Sequence, residues 1–350
     1  MKENTKNTLR KIGMKLLLLI AVLAVLDVLY FFTFYPKDLE EHCSLMELSQ
    51  KPVPEGDDIV YLGESSNHAY SEADTDRRPI SMMLDSLLPA HKVGNLGKAA
   101  CHASIYYDVL RNIPRQNKIK VAVVTVNMRS FSSEWIYSKL EIALRKEQLM
   151  MKKAPALYKR MLMVFKAYPH WTEEERDKLV LNHLKKQEFN IPDFPYHNAS
   201  EWDHAIGKSG MLFNGTYPST DTVILTCHHI KHFAYQLDEN NPRIKDFDNI
   251  AKLCQKRNWQ LILNIVADNM DQIEALVGPE LSWLMNQNAQ YIIERYEAQG
   301  AIVVNNLNEV RDEDFFERDF PTEHYTQNGR LTIARNVAEA ISKLVNLLMD

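Results

Sequence analysis

The chain is poor in cysteine, with four in 350 residues: Cys43, Cys101, Cys227 and Cys254. No two form a CxxC pair, which excludes a disulfide-rich scaffold and argues against a structural zinc site. An excess of basic side chains is also missing. The 41 Lys and Arg against 46 Asp and Glu leave a net charge of −5. Nucleic acid is therefore not the main partner, because phosphate binding needs a basic footprint. The sequence has no internal repeat and no low-complexity stretch. Hydrophobic residues at 45% and charged residues at 25% exclude a disordered or collagen-like chain. What remains is a globular protein long enough for about two domains, or for one α/β domain with a large insertion.

One segment departs from this average. Leu16 to Tyr35 is apolar except for Asp27 and Thr33, and twenty residues is the length that spans a bilayer core. Lys2, Lys6, Arg10, Lys11 and Lys15 precede it, and Lys37, Asp38, Glu40 and Glu41 follow. By the positive-inside rule residues 1–15 are cytoplasmic, 16–35 form a transmembrane anchor, and the chain after Pro36 lies in the periplasm or outside the cell. A cleaved signal peptide is the competing reading, but the apolar run continues through Tyr35, past any cleavage site near Ala24. Asp27 costs about 3 kcal/mol on an insertion scale, which the surrounding Leu, Ile, Val and Phe residues offset. It either marks contact with another membrane protein or finds water or a headgroup.

Residues 36–57 read as a linker, polar and rich in Pro and Gly toward its end. Beyond it strands alternate with helices. Short apolar runs at Asp58–Leu62, Lys92–Leu96, Ile119–Val126, Trp259–Val266 and Ala301–Val304 predict buried strands. Helices are predicted at Pro79–Leu88, Cys101–Ile113, Lys245–Arg257, Glu280–Gln299 and Asn328–Met349. Such alternation implies a parallel sheet covered on both faces. Between about 135 and 241 it breaks into a mostly helical insertion, with Thr222–Thr226 as an extra edge strand.

The first strand runs into Gly63-Glu64-Ser65-Ser66-Asn67, and a serine just past a strand's C-terminal end sits where open α/β sheets bind ligands. The second strand ends in Asn95-Leu96-Gly97 and the third in Val126-Asn127, and His324 stands just before the closing helix. In these four blocks, taken in order, the chain resembles the SGNH (GDSL-type) hydrolase superfamily over roughly residues 58–350, the helical insertion unmatched. The resemblance implies a flavodoxin-like three-layer α/β fold and serine ester chemistry that calls for no cofactor. It makes Ser65 the nucleophile and His324 its base. The backbone N–H groups of Ser65 and Gly97 and the side chain of Asn127 would form the oxyanion hole. The chain departs from the family in three places. Glu64 replaces the usual Asp and Ser66 adds a second hydroxyl; the third block lacks its usual Gly and Asp; and Pro321 stands where the carboxylate three before the histidine belongs. Asp319, Glu323 or a backbone carbonyl is then left to orient His324, Glu323 being disfavoured because neighbouring side chains in extended chain point opposite ways.

His228, His229 and His232 suggest a metal cluster only if their segment is helical, and no metal site is expected. Lys139, Arg145, Lys146, Lys152, Lys153, Lys159, Arg160 and Lys166 make the insertion basic, either a solvated face or a surface for lipid headgroups or an anionic glycan. Trp135, Tyr137 and Trp171 fit core packing or sugar stacking. Asn198 and Asn214 head glycosylation sequons. Three functions stay open: an extracytoplasmic esterase, an acyltransferase acting on a cell-surface glycan or polymer beside a membrane-bound O-acyltransferase, and a non-catalytic accessory protein of such a system. The last two take their partners from the resemblance to anchored SGNH-like proteins of alginate acetylation and teichoic acid D-alanylation.

Overall fold

A computed structural model describes residues 2–349. Five parallel strands form one sheet: β1 (Ile59–Leu62), β2 (Val93–Asn95), β3 (Val121–Val126), β4 (Gln260–Ile265) and β5 (Ile302–Asn305), in the order β2-β1-β3-β4-β5. This is the flavodoxin-like doubly wound order, whose ligands sit beyond the strands' C-terminal ends at the switch point between β1 and β3. The pairing starts Ile59 opposite both Val93 and Val121, then Val121 opposite Gln260 and Ile262 opposite Ile302. All five strands stand where the apolar runs predict them.

Side chains alternate across the sheet. Ile59, Tyr61, Val121, Val123, Ile262 and Val304 pack against Ile80, Met83 and Leu84 and against Ile333, Val337 and Ile341 of the closing helix Gln327–Met349. The intervening Val60, Leu62, Ala122, Val124, Leu261 and Leu263 are equally buried. Burial on both faces explains why these strands read as unbroken β-branched runs. Each such side chain contributes about 1.5–3 kcal/mol by leaving water.

The chain divides into two compact units, one comprising the N-terminal residues to Glu47 with Arg145–His170, the other Leu48–Leu144 with the residues from Trp171 on. In the first, the helix Lys2–Thr33 contains a stretch from Lys6 to Thr33, with a mean hydropathy of 2.6 in its apolar window and none of that window buried, long and apolar enough to cross a membrane. Three short helices, Tyr35–His42, Ser44–Gln50 and, in the second unit, Pro52–Glu55, stand where a linker was expected. Lys159, counted above in a basic face, is instead buried: its ammonium group donates to the Tyr35 hydroxyl and to the Met150 carbonyl.

In the second unit the expected edge strand Thr222–Thr226 is part of the helix Thr220–Phe233. The β-branched run misleads because the context is helical: Ser219 accepts from the Thr222 amide as N-cap, and Thr226, Ile230 and Phe233 line one buried face. A second helix, Ala199–Ser209, precedes it in the insertion, capped by Asn198 and closed by left-handed Gly210. Asn198 is thereby buried in its cap, which removes it from the exposed sequons, whereas Asn214 holds an exposed turn through its bonds to Thr216.

Candidate active site

Strand β1 ends at Leu62, and the chain turns through Gly63 into the helical turn Ser65–His68. A Cβ on Gly63 would lie 2.9 Å from both Asn67 and Tyr61, so only glycine lets the turn close. Ser65 is partly exposed, while Ser66 is fully buried, so Ser65 is the hydroxyl a substrate can reach. Its Oγ donates to the Glu64 carboxylate at 3.3 Å. Asn127, at the end of β3, donates from Nδ2 to the other oxygen of the same carboxylate at 3.1 Å. Glu64 therefore joins the expected nucleophile to one expected oxyanion donor. The extra methylene of Glu over Asp gives that reach.

Gly97 follows β2 and lies against the Ser65 turn. A Cβ there would stand 2.9 Å from His68 Nε2 and 3.0 Å from the Gly63 carbonyl oxygen, so glycine permits the contact. The Gly97 amide donates to Asn95 Oδ1 at 2.9 Å, an oxygen that also accepts from Asn67 Nδ2 at 3.1 Å. Ser65, Gly97 and Asn127 thus gather at the C-terminal ends of three adjacent strands. Burial holds the neighbouring His68 below the usual histidine pKa.

His324 lies on the segment before the closing helix. Phe315 bridges Tyr325 in antiparallel fashion and the Phe316 amide donates to the His324 carbonyl, folding the segment back on itself. That fold brings Glu317 onto the imidazole, with Oε2 2.6 Å from Nδ1. Asp319, the carboxylate expected there, is exposed and makes no bond to His324. The correction has a backbone cause, since the reversal selects the residue across the turn over the one nearer in sequence. Nε2 of His324 is buried without a hydrogen-bond partner among the described residues, and Ser65 Oγ is bonded to Glu64, so the Ser65–His324 hydrogen bond is not formed here.

Around these groups lies a buried cluster that sequence reading did not supply. Arg129, two residues after Asn127, donates to Glu323 Oε2 at 2.6 Å and stacks 4.7 Å from the Trp135 ring centroid. Asp268, beyond β4, is also buried; burial first, and then the Glu323 carboxylate, push its pKa well above the usual value. Burial raises Glu323 too, with Arg129 opposing. Glu64 and His324 both act on Glu323 electrostatically, which ties the serine turn and the histidine segment to one charged centre.

A second buried arginine clamps the same two segments. Arg330, fully inaccessible, donates to the carbonyls of Ala69, Asp76, Arg78 and Tyr325 and pairs with Asp74 at 3.0 Å. Gln327 Oε1 accepts from the amides of Thr75 and Asp76 beside it. The loop leaving the Ser65 turn is thereby tied to the chain carrying His324.

The helix Thr220–Phe233 does place His228 and His232 on one face, where both pack on Phe320. His229 points elsewhere and bonds Gln272 Oε1 at 3.1 Å. No grouping suited to a metal ion occurs among the described residues. Burial depresses the His229 pKa from 6.5 to about 4. A histidine kept neutral by the fold stabilises fully above pH 6.5 and loses that contribution as pH falls toward 4, on the order of 3 kcal/mol. His229→Gln should therefore narrow the difference in urea midpoint between pH 7 and pH 4.5; an unchanged difference would show that His229 does not drive acid sensitivity. Trp135 carries Arg129, and Tyr137 and Trp171 pack edge to face at 5.3 Å, which accounts for all three rings structurally.

No family model and no curated protein matches the chain. Among solved structures it is similar to a GDSL-like lipase from Bacteroides thetaiotaomicron, at 11% identity and a TM-score of 0.38, over 89% of this chain and 99% of that one. It is similar also to a lipase/acylhydrolase from Enterococcus faecalis, at 10% identity and a TM-score of 0.32, over 81% and 94%. A mutant of a Geobacillus acetyl-xylooligosaccharide esterase gives 8% identity and 0.37, over 81% and 93%.

Proposed function

We propose that the chain is a membrane-anchored, extracytoplasmic SGNH-type serine esterase or O-acyltransferase acting on acyl esters of a cell-surface glycan or polymer. The observation that carries this reading is the Glu317–His324 pair, which holds Nδ1 at 2.6 Å and leaves Nε2 buried and without a partner among the described residues. Glu317 fixes the imidazole with a proton on Nδ1, so Nε2 is the basic nitrogen. Ser65 Oγ swings from Glu64 to Nε2, gives up its proton there and attacks the ester carbonyl carbon. The oxyanion faces the amides of Ser65 and Gly97 and the Asn127 side chain, and Glu317 stabilises the imidazolium. The imidazolium then protonates the departing alkoxide. Water releases the acyl group in an esterase, and a glycan hydroxyl takes it in a transferase. The charge bias around the apolar run supports an uncleaved anchor with the site outside the cytoplasm, and the transferase version would work beside a membrane-bound O-acyltransferase.

One observation favours a second reading, a non-catalytic accessory protein: Asn127, Gly97 and Ser65 are all engaged by protein acceptors. Fluorophosphonate labelling of the wild-type protein separates the two. Covalent labelling with turnover of a short-chain acyl ester supports the enzyme, and the absence of both supports the accessory protein. For an active enzyme Glu317→Gln should lower kcat/KM by about 10- to 100-fold, because a half-exposed charge-assisted hydrogen bond contributes about 1.5–3 kcal/mol. Asp319→Asn should leave it within about twofold. The reverse order would return the orienting role to Asp319.

A further inference from the structure

The short helix Ala156–Val164 is apolar on two sides. One side is buried within its own unit through Ala156 and Met163. The other presents Tyr158, Met161 and Val164, with Phe165 just past the end, exposed at 51%, 47%, 63% and 73%. Their spacing of three, three and four residues makes a single stripe along the helix. A helix bathed in water on that side would carry charge there.

The seat of this helix is the apolar helix Lys2–Thr33. The amide of Leu157 donates to Asp27 Oδ1 at 2.7 Å. Lys159 donates to the Tyr35 hydroxyl and lies 4.4 Å from that ring's centroid, and Arg160 pairs with Asp38 at 3.4 Å. Asp27 stands about two turns before Tyr35, roughly 12 Å along the axis. The first turn of Ala156–Val164 is therefore level with residues such as Leu26, Leu29 and Phe32, whose own side chains are exposed. The stripe continues the anchor's apolar surface.

We infer that Ala156–Val164 with Phe165 is a second membrane-contacting element, a wedge seated in the leaflet at the C-terminal end of the anchor, its stripe against lipid acyl chains. The inference rests on the anchor reading. Lys152, Lys153 and Lys166, all exposed, are long enough to reach lipid phosphates from the ends of the wedge. The wedge also gives Asp27 a role: a carboxylate in an apolar run is paired by a free amide at the start of a helix, within the same chain.

The test uses the full chain reconstituted in vesicles of phosphatidylcholine and phosphatidylglycerol. In a Cys227→Ser background the remaining cysteines are buried, so an environment-sensitive fluorophore can be placed at Phe165→Cys, at Tyr158→Cys as a second wedge position, and at Leu23→Cys in the anchor. Lipids with a nitroxide on the acyl chain should quench the wedge probes severalfold more than aqueous iodide does. Iodide quenching at both wedge positions with lipid quenching kept at Leu23 overturns the wedge and leaves the anchor standing. Shielding of the wedge probes from both quenchers also overturns it, in favour of a protein cover. Iodide access at all three positions removes the anchor itself.

Discussion

On the proposed reading, Ser65→Ala is expected to abolish acyl-ester turnover, by a factor on the order of 10⁴ or more, and with it fluorophosphonate labelling. The size follows from the mechanism, since removing a serine nucleophile leaves only binding and the oxyanion donors. The fold should not notice. Among the described residues the only hydrogen-bond acceptor of Ser65 Oγ is the adjacent Glu64, and such a change belongs with substitutions within about 0.5 kcal/mol. Ser66 provides the counter-test. Its hydroxyl is sealed from solvent, so Ser66→Ala should keep both activity and labelling. If labelling moves to Ser66 or survives in Ser65→Ala, the nucleophile has been misassigned. The urea midpoint, measured on the same samples, separates lost chemistry from lost structure.

The second large effect is expected at Arg330→Met. This guanidinium is fully buried with one carboxylate and four carbonyls around it. Removing it strands Asp74 and leaves the carbonyls without a donor, and breaking a buried ion pair in this way costs about 3–5 kcal/mol. Arg330→Lys keeps the charge but not the fork, so it should recover only part of the loss. A kinetic effect should accompany the thermodynamic one. Arg330 touches no reacting atom, yet it fixes the loop beyond Ser65 against the segment of His324. A misplacement of about 1 Å between such groups costs roughly 10²-fold in rate. In Arg330→Lys, kcat should fall with KM nearly unchanged, at temperatures where circular dichroism shows the protein folded. A stability loss under about 1 kcal/mol with kcat unchanged would mean the clamp is ornamental.

The sheet was legible because its strands are buried on both faces. Ile59–Leu62 is an unbroken apolar run and Val121–Val126 is interrupted only by Thr125, and every residue of both is buried. Ser65, Gly97, Asn127 and His324 could be put forward from their order along the chain, each just beyond an element that could be placed, and the first three do stand at the ends of adjacent strands. Glu317 was not, because its partnership with His324 is made by the Phe315–Tyr325 bridge, and nothing in a loop's composition announces a reversal. Arg129 and Arg330 escaped for another reason. Arginine is usually exposed, and only the surrounding carboxylates and carbonyls explain its burial. Thr222–Thr226 failed on period: five residues of β-branched character cannot outvote the capped helix that continues through Phe233. The partner of Asp27 lies 130 residues along the chain, beyond any local pattern.

The Arg330 clamp also sets a date in the life of the molecule. It joins positions 256 residues apart, Asp74 near the start of the sheet and Arg330 in the closing helix. A ribosome delivers the serine turn early and the clamp nearly last, so for most of its synthesis the chain carries the proposed nucleophile without its proposed base. Contacts of such long separation also close late in folding. On the proposed reading, a copy clipped before the closing helix lacks the clamp and should not turn over an ester.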